Sequence, residues 1–261
     1  MANSLGADDA SLDTANVAVN LNERLRVDGL WGALQFAVLP PRCLLCGGRG
    51  DGARDLCAAC AADLAHNRLC CPRCALPLQT PALRCGECLK NMPPFFAASA
   101  PFVYGHPLDL LMARLKFGQS LAAGRVLSEM WLGALRESMP AKPSALLPVP
   151  LHASRLRERG YNQALELARP LARALEIPVL HAALQRTRAT PAQVNLDAKV
   201  RRRNLQGAFA VVENVALPAH VALVDDVMTT GATLRECARV LLRAGVERVD
   251  VWALARAPRL R

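Results

Sequence analysis

Thirteen consecutive residues, Val221 to Thr233, constrain the fold more than any other part of the chain. An apolar run, Val221-Ala222-Leu223-Val224, ends in two adjacent carboxylates, Asp225 and Asp226. After Val227-Met228 comes a small-residue loop, Thr229-Thr230-Gly231, and then Ala232-Thr233 begins a helical pattern. That order places a loop at the carboxyl end of a buried strand, where open α/β sheets bind ligands. The loop's backbone N–H groups and hydroxyls can hold a phosphate monoester, and the following helix N-terminus adds its dipole. The two acids can hold the 2- and 3-hydroxyls of a ribose, or its magnesium. A lone acidic pair after an apolar run is commonly a solvated strand end; here all thirteen positions agree with the ligand-loop reading.

The flanking sequence reads as alternating strands and helices, which argues for a parallel sheet. Strands are expected at 100–104, 145–150, 208–213, 221–225 and 249–254. Helices are expected over 108–116, 120–137, 163–175 and 231–244, the last with Gly245 as its C-cap. Residues 179–184 form a strand or a short helix. Arg155 to Gln163 reads as a polar, basic loop, and 185–204 as polar and basic with little periodicity. A hydrophobic content of 52% with only 4% aromatics suits an Ala/Leu/Val-rich α/β core. Three regions are expected: a tail with a short helix over 1–40, a cysteine-rich region over 41–92, and the α/β domain over 93–261.

Ten cysteines occur, nine of them between Cys43 and Cys88. They form four C-x-x-C knuckles: Cys43/Cys46, Cys57/Cys60, Cys71/Cys74 and Cys85/Cys88. Within each successive pair of knuckles the gap is ten residues. Two such turns offer four thiolates in tetrahedral array, so the block reads as two structural zinc modules in series. A disulfide scaffold would need an oxidising compartment, and Asp8, Asp9 and Asp13 ahead of any base do not read as a secretory signal. Cross-pairing of knuckles, Cys70 in place of Cys71, and His66 as a spare ligand remain open. Cys237 reads as a small buried hydrophobe. No run approaches 18 apolar residues, so no membrane insertion is expected, and a cytoplasmic location is the default.

The net charge of +10 is uneven. Residues 151–203 hold eleven Arg or Lys against four acids, a zone that suits pyrophosphate, nucleic acid or both. A solvated basic face accounts for Arg169 and Arg173 but less well for Arg155, Arg157 and Arg159.

The Val221–Thr233 stretch resembles the 5-phosphoribosyl-1-pyrophosphate (PRPP) motif of type I phosphoribosyltransferases. The match extends to Pro148-Val149-Pro150, Arg155 to Gln163, Leu184 to Arg188 with Thr190 and Gln193, Arg203-Asn204, Gly207-Ala208-Phe209 and Leu115-Lys116-Phe117. Together these resemble the ComF family, phosphoribosyltransferase-like proteins that often carry an N-terminal zinc finger. The order of motifs also resembles the phosphoribosyltransferase domain of glutamine-PRPP amidotransferase.

The resemblance implies a type I phosphoribosyltransferase-like sheet flanked by helices, behind a small cysteine-rich zinc domain. It implies that Asp225 and Asp226 bind the ribose hydroxyls of PRPP, directly or through Mg2+, and that Thr229, Thr230, Gly231 and Thr233 bind the 5-phosphate. Val149 and Pro150 belong to the pyrophosphate turn. Arg186, Arg188 and Gln193 belong to the mobile loop over the leaving group. Arg155, Arg159 and Asn162 are further pyrophosphate or nucleic-acid contacts, and Lys116 comes from the hood. It also implies cytoplasmic handling of single-stranded DNA in natural transformation beside a helicase partner. Competing implications are transfer to an unknown acceptor and a GntX-like role in gluconate use; a non-enzymatic zinc scaffold is a third class. Hypoxanthine-type enzymes place an acid three residues after the second acid of the motif, where this chain has Thr229, which disfavours that reaction.

Overall fold

The computed structural model describes residues 40–138, 141–188 and 205–259. The expected tail helix before residue 40 lies outside them, as do Thr190, Gln193, Arg203 and Asn204. Helices α1 (Ala58–Ala62) and α2 (Gly86–Lys90) are single turns within the cysteine region. Strands β1 (Ala98–Ser99) and β2 (Phe102–Val103) follow, then helices α3 (Leu108–Phe117) and α4 (Leu121–Ser138). Strand β3 (Ala145–Pro148) leads into helices α5 (Ala153–Arg159) and α6 (Gln163–Leu175). Strands β4 (Leu184–Arg186) and β5 (Phe209–Val211) form an antiparallel pair. Last come β6 (His220–Met228), helix α7 (Ala232–Arg243) and β7 (Arg248–Arg256).

The main sheet is parallel throughout. β7 pairs on one side with both β1 and β2 and on the other with β6, which pairs with β3. Pro101, which lacks a donor, interrupts the edge strand, as proline does in sheets. A further parallel bridge joins Leu146 to Val179.

β6 is apolar because both its faces are covered. Side chains alternate along a strand, so Val221 and Leu223 face one core and Ala222 and Val224 the other. The first core is filled by Leu234, Cys237 and Leu241 of α7 and by Leu184 and Phe209 of the hairpin. The second is filled by α3, α4 and α6, with Trp131 and Leu127 wholly buried. The cysteine region contributes to both: Cys71, Cys74, Cys85, Cys88 and Phe95 join the first core, Cys43, Leu56 and Leu64 the second.

Several segments differ from the sequence expectation. Gln185 and Arg186, expected in a polar stretch without periodicity, lie in β4, and α1, α2 and β1 have no counterpart among the expected elements. Arg155 to Gly160, expected as loop, lies mostly in α5. His152 caps that helix by accepting from the Ser154 N–H through Nδ1, and Gly160 ends it in the left-handed region at φ 84°. No residue of α5 is buried, so it carries no apolar stripe to reveal it. β6 also continues to Met228, beyond the expected end at 225, because β7 runs alongside it as far as Arg256. α7 ends in a Schellman motif: Val246 N–H donates to Leu241 O and Gly245 N–H to Leu242 O, with Gly245 at φ 95° one residue beyond the cap Ala244.

Candidate functional site

Alternation along β6 sends the two adjacent acids to opposite faces of the sheet. Asp226 turns toward α3, where its Oδ2 lies 2.6 Å from Lys116 Nζ, and the residue is only 5% exposed. The end of α3 that carries Lys116 is held by Tyr161, whose hydroxyl donates to the Leu115 carbonyl. Asp225 turns toward α7 and the hairpin, where its charge is felt by Arg186 and Cys237. Burial, then the neighbouring Asp226 charge, raises the Asp225 pKa well above the usual carboxylate range; the Asp226 N–H and Lys116 oppose this without overcoming it. The Asp226 N–H donates to Asp225 Oδ1 at 2.9 Å and the Val227 N–H to Asp226 Oδ1 at 2.6 Å.

Thr229 and Thr230 are exposed on the loop that follows, and Thr233 is half-buried in the first turn of α7. Gly231 is the N-cap of α7 at φ 71° and supplies no side chain; Thr230 Oγ1 accepts from the Ala232 N–H at 3.4 Å, and the N–H groups that follow in the first turn are the ones a ligand can take. A Cβ at Gly231 would stand 2.6 Å from Met228 Cε. That methyl can swing aside, but the left-handed backbone cannot be relieved in the same way. Gly231→Ala is therefore expected to cost about 1–2 kcal/mol, read as a lower Tm. Gly231→Asn should cost less, because Asn tolerates the left-handed region. Equal losses for the two variants would show that crowding, not backbone conformation, governs the position.

The end of β3 lies beside the acid pair. Pro148 is in register with Val224, and the Val149 N–H donates to Val224 O at 2.8 Å. Pro150 follows at the start of the turn into α5. Asn162 is the N-cap of α6: its Oδ1 accepts from the Ala164 N–H at 3.0 Å, and its Nδ2 donates to Val149 O at 3.0 Å. It thus positions the 148–150 turn. Arg159 donates to Gln163 Oε1 and lies over the Phe117 ring, 5.7 Å from its centroid. Phe117 itself is 78% exposed. Arg155 is half-buried, and its charge acts on Arg186. Arg186 ends β4 with its guanidinium 5.5 Å from the Phe209 centroid. Burial, then the Arg155 charge, lowers its pKa, which Asp225 opposes when ionised. Arg188 donates to Gln206 O at 2.8 Å. The structure therefore brings together Asp225, Asp226, Lys116, the 148–150 turn, the 229–231 loop and Arg186.

The eight knuckle thiols gather into two groups, Cys43/Cys46/Cys57/Cys60 and Cys71/Cys74/Cys85/Cys88, each with all sulfurs within 4.8 Å of one another. Cys70 and His66 belong to neither. Sulfurs at about 2.3 Å from a tetrahedral zinc ion stand about 3.8 Å apart. The observed Sγ–Sγ separations fit that edge: Cys46–Cys57 3.8 Å, Cys71–Cys88 3.9 Å and Cys74–Cys85 3.5 Å. They are far beyond the roughly 2.05 Å of a disulfide. Burial raises the Cys43 thiol, but N–H groups of Cys46, Cys57 and Leu45 outweigh it and lower its pKa to about 6. Cys71 likewise falls to about 7, against burial, through N–H groups of Cys85, Arg73 and Cys74. Each group thus has one thiol disposed to the metal-binding thiolate. The donor sets fit structural zinc, which would supply folding energy and no chemistry.

Two residues near the site escaped the sequence reading. Arg256, 7% exposed, and Arg235, half-buried, reach between the second cysteine group and the loop. A charged residue at the end of a buried strand looks the same in sequence as a solvated strand end, so no signal distinguished Arg256. Among the described residues no helix is long and apolar enough to cross a membrane.

Residues 34–92 match the family of the double zinc ribbon domain. Competence protein F of Haemophilus influenzae is 40% identical over 223 residues, spanning 83% of this chain and 97% of that protein. The DNA utilization protein YhgH of Salmonella typhimurium is 38% identical over 205 residues, 77% of this chain and 90% of its own. Competence protein ComFC of Bacillus subtilis is 27% identical over 181 residues, 67% of this chain and 72% of its own.

Proposed function

Because the chain belongs to the ComF family, the family of competence protein F, we propose that it serves DNA uptake in the cytoplasm, binding a PRPP-type ligand with magnesium and handling single-stranded DNA, with a competence helicase as partner. The observation that carries the ligand assignment is the acid pair at the end of central strand β6, followed within three residues by a Thr-Thr-Gly loop on the N-terminus of α7.

In this reading Asp225 and Asp226 hold the ribose hydroxyls from opposite faces of the strand. The loop N–H groups and the hydroxyls of Thr229, Thr230 and Thr233 hold the 5-phosphate. Magnesium, when bound, neutralises the pyrophosphate. Lys116 neutralises the buried Asp226 carboxylate and is placed to turn to a phosphate oxygen when a cation shares that carboxylate. Arg186 and Arg188 suit a pyrophosphate, since the planar guanidinium matches its oxygens. A calorimetric titration with magnesium–PRPP tests this; no heat of binding at millimolar ligand would sink the ligand assignment.

The DNA reading rests on the competence and DNA-utilization roles for which the relatives are named, on the basic zone that includes α5, and on Phe117. An exposed aromatic under an arginine is a surface on which a base can stack, and stacking contributes about 1–3 kcal/mol per base. Phe117→Ala is therefore expected to weaken binding of a fluorescent oligo(dT) by roughly 5- to 150-fold, and affinity should fall steeply with salt. An unchanged anisotropy isotherm for Phe117→Ala would remove this residue from the DNA path.

A second reading, transfer of the phosphoribosyl group to an unidentified acceptor, is supported by the same acids and arginines. It is compatible with the first, because one site can serve both.

A further inference from the structure

The two zinc ribbons are attached to the α/β body in different ways. The first packs Cys43, Leu56 and Leu64 into the second core and meets α4 through surface ion pairs, Arg54–Glu129 and Arg125–Asp55. The second is joined to it by a buried guanidinium. Arg256 Nε donates to the carbonyl of Cys74 at 3.0 Å. Its Nη1 donates to the carbonyls of Met228 at 2.8 Å and Ala257 at 2.9 Å, and also to that of Thr229. One side chain therefore spans a knuckle of the second ribbon, the last residue of β6 and the first residue of the ligand loop.

The knuckle end of this link is set by the cysteine cluster. Cys74 supplies both a sulfur to the four-thiol group and the carbonyl that Arg256 grips. Its neighbour Ala75 is in the left-handed region at φ 53°, and the Ala75 N–H donates to Cys71 O at 2.7 Å, which closes the turn. Met228, Leu234 and all four thiols share one apolar core, so the Cys74 carbonyl cannot shift alone.

Charge supports the same link. Four thiolates on one divalent zinc ion carry a net charge of about −2, and a buried charge must be matched. Arg256 is buried and Arg235 half-buried, and Arg256 reaches this cluster through its bond to the Cys74 carbonyl. Arg235 sits one turn into α7, directly after the loop, and its Nη2 donates to Asn91 O at 2.9 Å.

We propose that the second zinc ribbon positions the ligand loop through Arg256, so that the geometry of Met228 to Gly231 depends on metal in the Cys71/Cys74/Cys85/Cys88 cluster. Arg256 is a positioning residue: it holds the carbonyls of Met228 and Thr229. The inference rests on the ligand reading given above only for its binding consequence; the structural coupling stands apart from it.

The test compares zinc-loaded wild type with Arg256→Met and Arg256→Lys, and with Cys46→Ser in the first ribbon as control. Zinc content is measured by atomic emission, amide hydrogen exchange over residues 227–236 by mass spectrometry, and magnesium–PRPP binding by calorimetry. Arg256→Met is expected to keep its zinc, to speed exchange in 228–233 by at least tenfold, and to weaken ligand binding by at least tenfold. Arg256→Lys, which keeps the charge but not the fork, should restore only part of both. If Arg256→Met fails to fold, the Lys variant carries the same comparison against wild type. Cys46→Ser should leave exchange in this segment unchanged. Exchange in Arg256→Met equal to wild type, or equal loosening of the loop by Cys46→Ser, would overturn the proposal. Were the wild type itself to bind no ligand, the ligand reading would fail while the exchange comparison still decided the coupling.

Discussion

Replacing Asp225 and Asp226 together by Asn is expected to lower the affinity for magnesium–PRPP by roughly 10²–10⁴-fold, since each charge-assisted contact contributes about 1.5–3 kcal/mol. The accompanying stability change separates the two acids. Asp225 has a folded pKa held well above its unfolded value by burial and the Asp226 charge. The folded state then keeps a proton that the unfolded chain has released. Stability of the ligand-free protein should fall as pH rises from about 3.9, the ordinary Asp value, through the raised folded value. Asp225→Asn removes that dependence and should raise the Tm of the ligand-free protein at neutral pH, by an amount in the roughly 0.5–2 kcal/mol range common for relieving a functional site. Asp226→Asn should do the opposite, because it deprives the partly buried Lys116 ammonium of its partner 2.6 Å away. Ligand affinity in the wild type should increase with pH as Asp225 loses its proton. Thermal melts and titrations across pH 5–9 check all of this; a Tm of Asp225→Asn below that of wild type would contradict the strained-carboxyl account.

How much of this was legible in the sequence follows from where the periodic signal is strong. α3, α4 and α6 stand within a residue or two of their expected limits, because each carries apolar residues at helical spacing that fill one core. The turn between β6 and α7 was legible because its residue types are restricted: only Gly fits φ 71° at low cost. α5 was not legible, since a short helix with no buried residue has no stripe. The knuckle spacing implied two four-thiol sites, but their assignment as successive pairs, with Cys71 rather than Cys70, comes from the geometry. The opposite orientation of Asp225 and Asp226 follows from strand periodicity only once β6 is known to run past them to Met228. Arg256 could not be found at all from the chain alone, since its three distant acceptors come from Cys74, Met228 and Thr229. The expected role of Gln193 lies outside the described residues.

The second large effect concerns zinc, and the two ribbons should respond unequally. In the first, Cys46 is exposed and Cys57 and Cys60 are half-buried; in the second, all four thiols are buried. A chelator added to the zinc-loaded protein should therefore remove metal in two phases, the fast one from the first ribbon. Loss from the second should coincide with loss of tertiary structure, because its thiols lie in the same core as Phe95, Leu223, Met228 and Leu234. The magnitudes favour outright unfolding: zinc binding by a four-ligand site contributes about 10–16 kcal/mol, against a total stability of about 5–15 kcal/mol for a typical domain. Cys88→Ser should accordingly abolish cooperative unfolding in a circular-dichroism melt. Cys46→Ser should lower the Tm yet leave a cooperative transition, since Leu56 and Leu64 pack on α/β residues that keep their own core. Chromogenic-chelator release followed alongside near-ultraviolet circular dichroism gives both readings at once. A single release phase would contradict the unequal response expected from the different burial of the two ribbons, and a Cys88→Ser protein that melts like wild type would mean that the α/β core stands without the second ribbon.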